Sequence, residues 1–74
     1  MSTTELVLRG DHIALDALLK ATGLAPSGGI AKRLIADGRV SVDGRAETRK
    51  TCKIRAGQHV ALGDDSVRVV AAPG

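Results

Sequence analysis

At Gly38 the apolar residues of this sequence change period, and that change constrains the fold more than any other feature. Before it, Ile13, Leu15, Leu18, Leu19 and Thr22 recur at the spacing of one helix face, and so do Ile30, Ala31, Leu34 and Ile35. After it, Val40-Ser41-Val42, Val60-Ala61-Leu62 and Val67-Arg68-Val69 follow the two-residue period of half-buried strands. A chain of 74 residues with this pattern reads as one domain, 1–74.

Turn and cap residues divide the pattern into elements. Glu5 to Arg9 reads as a short edge strand with Leu6 and Leu8 on one side, broken by Gly10. Asp11 is the expected N-cap of the first helix, because its carboxylate can accept from first-turn amides. Gly23 is the stop, with Leu24 folding back onto the last turn. Pro26 and Ser27 open the second helix with Ser27 as its cap, and Gly38 ends it.

Asp43-Gly44 between two short runs predicts a type I′ hairpin, since both central residues need positive φ. Ile54 is the apolar anchor of an otherwise polar, basic stretch, Glu47 to Lys53. Ala56-Gly57 predicts a turn, and a second hairpin is expected across Gly63-Asp64-Asp65, with the tail from Ala71 frayed. The expected class is α+β, with two antiparallel helices packed on a small antiparallel sheet.

Composition removes several function classes. The hydrophobic fraction of 43% is too high for a disordered tail. The single cysteine, Cys52, allows no internal disulfide, which favours a reducing, cytoplasmic location. Met1 to Leu8 has no signal-peptide pattern, and no apolar run nears the roughly 20 residues that span a bilayer, so no membrane is expected as partner.

Groups for catalysis are sparse. His12 and His59 stand at element starts with no carboxylate at a motif spacing, and read as surface or structural residues. The basic neighbours of Cys52 would lower its thiol pKa, but with no histidine nearby in sequence it reads as partly buried or incidental. One cysteine and two distant histidines make no closed zinc site. Ser27-Gly28-Gly29 lacks the phosphate-loop pattern and a preceding apolar strand. Neither a cofactor, a metal nor an enzymatic activity is expected.

Charge points to a polyanion. Between Lys32 and Arg55 lie eight basic residues, Lys32, Arg33, Arg39, Arg45, Arg49, Lys50, Lys53 and Arg55, against three acidic ones, Asp37, Asp43 and Glu47. The chain as a whole carries only +3, so the remainder is net acidic. Such segregation produces a one-sided field, or else a solvated basic surface without a partner. The chain has no Phe, Tyr or Trp on which to stack single-stranded bases. Nucleic acid would therefore be gripped by backbone and shape, which favours folded or double-helical RNA.

Within this segment Gly28 and Gly29 stand in the first turn of the second helix. Their bare backbone either admits an anion to the free amides, with Lys32 and Arg33 one turn on, or serves close helix packing. If the Glu47–Lys53 stretch is extended, Arg49, Lys53 and Arg55 share a face and Lys50 points away. The candidate RNA-binding set is Ser27, Gly28 and Gly29 with the eight basic residues.

The run from Ile13 to Leu62, with SGGIAKRLI followed by ADGRVSVDGRAETRK, resembles the RNA-binding domain named after small-subunit ribosomal protein S-four. It is most similar to the small stand-alone bacterial members, the YbcJ-like proteins. The resemblance implies the αL-motif RNA-binding fold with core motif 13–62, a cytoplasmic location, and binding to structured RNA such as ribosomal or transfer RNA. By position it makes Lys32, Arg33, Arg49, Lys50 and Lys53 the RNA contacts, with Val40, Val42 and Gly44 building the hairpin. Two departures remove charge from the usual helical surface. Ala14-Leu15-Asp16 stands where many members have Arg-Leu-Asp, and Gly28-Gly29 where many have basic residues.

The leading expectation is an RNA-binding module without catalysis. The alternative is an adaptor for the ribosome or RNA-processing proteins, pairing through the outer edge of the apolar C-terminal hairpin. General DNA binding ranks third, because two adjacent helices are the sole hint of a helix-turn-helix.

Overall fold

A computed structural model describes residues 2–73. Strand β1, Ser2–Leu8, is followed by the two-residue strand β2, Ile13–Ala14, helix α1, Leu15–Ala21, and helix α2, Gly28–Ala36. Five further strands complete the chain: β3, Val40–Val42; β4, Arg45–Ala46; β5, Lys53–Ile54; β6, His59–Leu62; and β7, Asp65–Ala71.

The sheet is larger than expected and mixed. Five strands lie in the order β1-β7-β6-β3-β4, and β2 pairs with β5 in a separate two-stranded ribbon. All pairs are antiparallel except β1 with β7, which run parallel with Leu6 opposite Val69 and Leu8 opposite Ala71. Local patterning marks a strand but not its partner's direction. Direction follows from the long return of the chain through both helices and the five strands between β1 and β7.

Leu15, Leu18 and Leu19 of α1 and Ala31 and Ile35 of α2 meet Val40, Ile54, Val60, Val67 and Val69 in one core of fully buried side chains. Leu6, Leu24, Leu34, Val42, Cys52 and Leu62 pack around it. On the sheet's other face, Ser41, Ala61 and Ser66 share one cross-strand row.

Most punctuation falls where the sequence places it. Gly23 (φ 79°) and Gly38 (φ 74°) end the helices. Asp43 (φ 52°) and Gly44 (φ 85°) form the two-residue hairpin between Val42 and Arg45. Ser27 Oγ accepts from the Ile30 amide at 3.2 Å and caps α2.

Five expectations fail locally. Asp11 caps nothing: α1 starts at Leu15 behind Ala14, which makes no side-chain cap bond, because Ile13 and Ala14 are drawn into β2. Ile30 is 45% exposed, since the buried stripe of α2 centres on Ala31 and Ile35 and turns Ile30 away. The second hairpin turns on Gly63-Asp64, with Asp65 already paired to Leu62 in β7. Ala71 does not fray: it pairs with Leu8, and the Ala72 amide donates to the Leu8 carbonyl at 3.2 Å, while Gly74 lies outside the described residues. Finally, β7 has no open edge, for β1 covers one side and β6 the other. The outer edge invoked for an adaptor is therefore already paired.

Candidate nucleic-acid interface

The stretch expected to be extended is a folded loop. After β4 the Glu47 amide donates to the Val40 carbonyl at 2.9 Å, and the chain turns through Arg49 to Cys52, closed by the Cys52 amide on the Arg49 carbonyl at 3.1 Å. The face assignment of Arg49, Lys53 and Arg55, which required extension, does not apply.

This loop is seated on the start of α1. The Leu15 amide donates to the Cys52 carbonyl at 3.0 Å and the Asp16 amide to the Lys50 carbonyl at 3.1 Å. Lys53 lies opposite Ala14 in the β2–β5 ribbon, and Ile54, opposite Ile13, is fully buried beneath it. First-turn donors that usually need a side-chain cap are thus satisfied by loop carbonyls, so helix and loop fix each other.

Glu47 shapes the loop from within. Its Oε2 accepts from the Arg49 amide at 3.0 Å and from Arg49 Nε at 3.2 Å, and Oε1 accepts from Nη2 at 3.3 Å. These bonds hold the Glu47 carboxyl down at about 2, chiefly through the Arg49 guanidinium and then its amide. The Arg49 guanidinium is raised in turn by Glu47. Burial, and then the Glu47 carboxylate, pushes the Cys52 thiol up against the opposing pull of Arg49. The basic neighbours therefore do not activate Cys52, and a protonated thiol is a poor nucleophile. Arg49, Thr51, Cys52 and Lys53 line an open surface depression.

The hairpin tip is braced separately. Asp43 Oδ1 accepts from the His59 amide at 3.0 Å, and Oδ2 accepts from Gln58 Nε2 at 3.1 Å. Gln58 Oε1 in turn accepts from the Arg55 amide at 2.8 Å, which ties the chain at Arg55 to the β3–β4 turn. The Asp43 carboxyl is lowered by the His59 amide first and Gln58 second.

All eight basic residues between Lys32 and Arg55 are exposed. Among the described residues the one ion pair is Arg49 with Glu47, and Arg49 remains 78% exposed. The loop gathers Arg49, Lys50 and Lys53 beside α1. Arg45 stands on the short edge strand β4 and Arg39 just before β3. Lys32 and Arg33 project from α2, and no hydrogen bond or strand pairing links them to the loop.

The glycine pair has a clear answer. A methyl group added at Gly28 would meet nothing within 4 Å, and one at Gly29 would meet only the Ser27 hydroxyl at 4.0 Å. Helix packing does not require either glycine. Their amides donate to no acceptor among the described residues, while Ile30 and Ala31 donate to Ser27.

Sequence reasoning missed Glu47 as the organiser of the loop, and Gln58 as the brace of the hairpin. The signal for Glu47 was its position two residues before Arg49, where a carboxylate can reach the following amide. Gln58 bonds locally to the Arg55 amide, but its bracing of the hairpin carried no local signal, because Asp43 is 15 residues away.

The model of the S4 domain family matches residues 6–70. The chain belongs to the S4 domain family. The match runs beyond the 13–62 motif and takes in the end of β1, from Leu6, and most of β7. Within the S4 domain proteins, the chain is 55% identical over 60 residues to "Putative RNA-binding protein YbcJ" of Escherichia coli (strain K12), covering 81% of this chain and 86% of that one. The same figures hold for "Uncharacterized protein YbcJ" of Shigella flexneri. The solution structure of E. coli YbcJ, described as revealing an αL motif involved in RNA-binding, superposes with a TM-score of 0.69 at 51% identity. That superposition covers 93% of this chain and 86% of the other. The two-helix arrangement on a mixed sheet is thus the αL fold of this S4 domain member.

Proposed function

We propose that this chain is an RNA-binding module that holds structured RNA, ribosomal or transfer RNA in particular, and performs no catalysis. The carrying observation is the exposed cationic segment on an S4 domain fold shared with a YbcJ structure described by its RNA-binding motif. Arg49, Lys50 and Lys53 would grip phosphates from the loop braced on α1. Lys32 and Arg33, with the open amides of Gly28 and Gly29 behind Ser27, would supply a second phosphate seat. Arg39, Arg45 and Arg55 would extend the contact along the β3–β4 hairpin.

Without an aromatic side chain, recognition would rest on backbone geometry, and A-form shape is the natural target. We place the protein in the cytoplasm, with the ribosome or RNA-processing proteins as its setting. No helix among the described residues is long and apolar enough to cross a membrane.

The test is a binding titration of a folded RNA hairpin and a DNA duplex at several salt concentrations. The R49E/K50E/K53E variant should lose RNA binding while its circular dichroism stays native. Each lost phosphate contact should flatten the salt slope by about 0.7 to 0.9. Undiminished RNA affinity in the folded variant refutes the surface, and preference for DNA refutes the RNA assignment.

A further inference from the structure

The two edges of the five-stranded sheet are not alike. β4 is a two-residue strand carrying Arg45, a short and charged edge of the kind that resists pairing. β1 is seven residues long, is paired without interruption along one side, and contains neither lysine nor proline. Such an edge is a template for another strand.

The polar groups of β1 are divided by residue parity. The Ser2 amide donates to the Asp64 carbonyl, and the Leu8 carbonyl accepts from the Ala72 amide, so even-numbered residues turn their peptide groups toward β7. Odd-numbered residues, Thr3, Glu5 and Val7, turn theirs to the open edge. An antiparallel partner must therefore match odd with odd.

A second copy of β1 meets that condition in few registers. Centring on Glu5 sets two carboxylates opposite each other. Centring on Leu6 sets Glu5 opposite a valine. Centring on Val7 sets Glu5 opposite Arg9 of the second copy, the residue that directly follows β1, twice over, Leu6 opposite Leu8 on the core face, and Val7 opposite Val7. Val7, 47% exposed, is one of two large hydrophobic side chains that stand out from the described surface. Its cross-strand neighbour within the chain is Val70. Centring on Val7 thus completes a row of four valines across the junction and forms two ion pairs.

We propose that two copies of this chain associate through antiparallel pairing of their β1 strands centred on Val7, giving one continuous ten-stranded sheet. The β4 edges, with Arg45, then lie at its two far ends. The pairing does not depend on the RNA reading.

Sedimentation equilibrium over micromolar to millimolar concentrations tests the proposal, with amide exchange by NMR. The wild type should dimerise, and exchange at Glu5 and Val7 should slow with concentration while exchange at Leu6 does not change. R9E or E5R alone, at exposed positions, should weaken the dimer by about tenfold, because two attractive cross-strand pairs become repulsive. The double variant E5R/R9E should restore it. Val7→Lys should give a monomer with native circular dichroism. A wild type that stays monomeric at millimolar concentration overturns the proposal. So does a dimer indifferent to the single charge reversals, or one that the double variant fails to restore.

Discussion

Glu47 and Arg49 form a closed unit two residues apart, in which one carboxylate accepts three hydrogen bonds from its neighbour's amide and guanidinium. The Glu47 side chain is 18% exposed and the Arg49 side chain 78%, so the anion lies inside the loop and the cation presents itself outward. An arginine tethered in this way offers its remaining donors to phosphate with less freedom left to lose on binding.

The tether should be insensitive to pH until strongly acidic conditions. A carboxylate held below its ordinary value contributes order that is complete above that value and disappears as pH falls through the depressed one. For Glu47 the window runs from 4.5 down to about 2. NMR titration of the Glu47 carboxyl and the Arg49 amide should show a shared midpoint near 2. A midpoint at the ordinary glutamate value would show that the tether does not form.

Asp43 should be hard to replace, for two independent reasons. Its φ of 52° disfavours most side chains, and its two oxygens brace His59 and Gln58. Asp43→Ala should lower Tm by roughly 5 °C or more, and Asp43→Asn by less, since Asn tolerates the conformation and keeps an acceptor for His59. Equal melting temperatures for the two variants would contradict this account.

Gly28 and Gly29 separate folding from binding. Space exists for a methyl at both, and alanine is the better helix former, so the G28A/G29A variant should gain about 0.5–1 kcal/mol in urea denaturation. If phosphate approaches their amides, the same variant should bind folded RNA several-fold more weakly. A stabilised protein with full RNA affinity would remove the second phosphate seat from the proposed surface.

Ile54 joins the basic loop to the core. It is fully buried in a two-residue strand whose neighbour, Lys53, is exposed. Ile54→Ala should cost about 2–5 kcal/mol, a large part of the stability of so small a domain, and Ile54→Val about 1 kcal/mol. Urea midpoints with unchanged m-values would check both figures.

The sequence by itself determined the helices, the caps at Ser27, Gly23 and Gly38, the Asp43-Gly44 turn and most of the core, because each rests on contacts within a few residues or on periodicity. It also carried the family's motifs, in order, from the second helix into the basic loop. Tertiary structure alone decided that β1 pairs parallel with β7, that Ile13-Ala14 is drawn away from Asp11 to pair with Lys53-Ile54, and that loop carbonyls cap α1. These depend on which distant segments compete for the same backbone groups, and a one-dimensional pattern does not record that competition. Placing Arg49, Lys50 and Lys53 beside α1 belongs to this second kind: local chemistry supplies the charges, and long-range hydrogen bonds set where they stand.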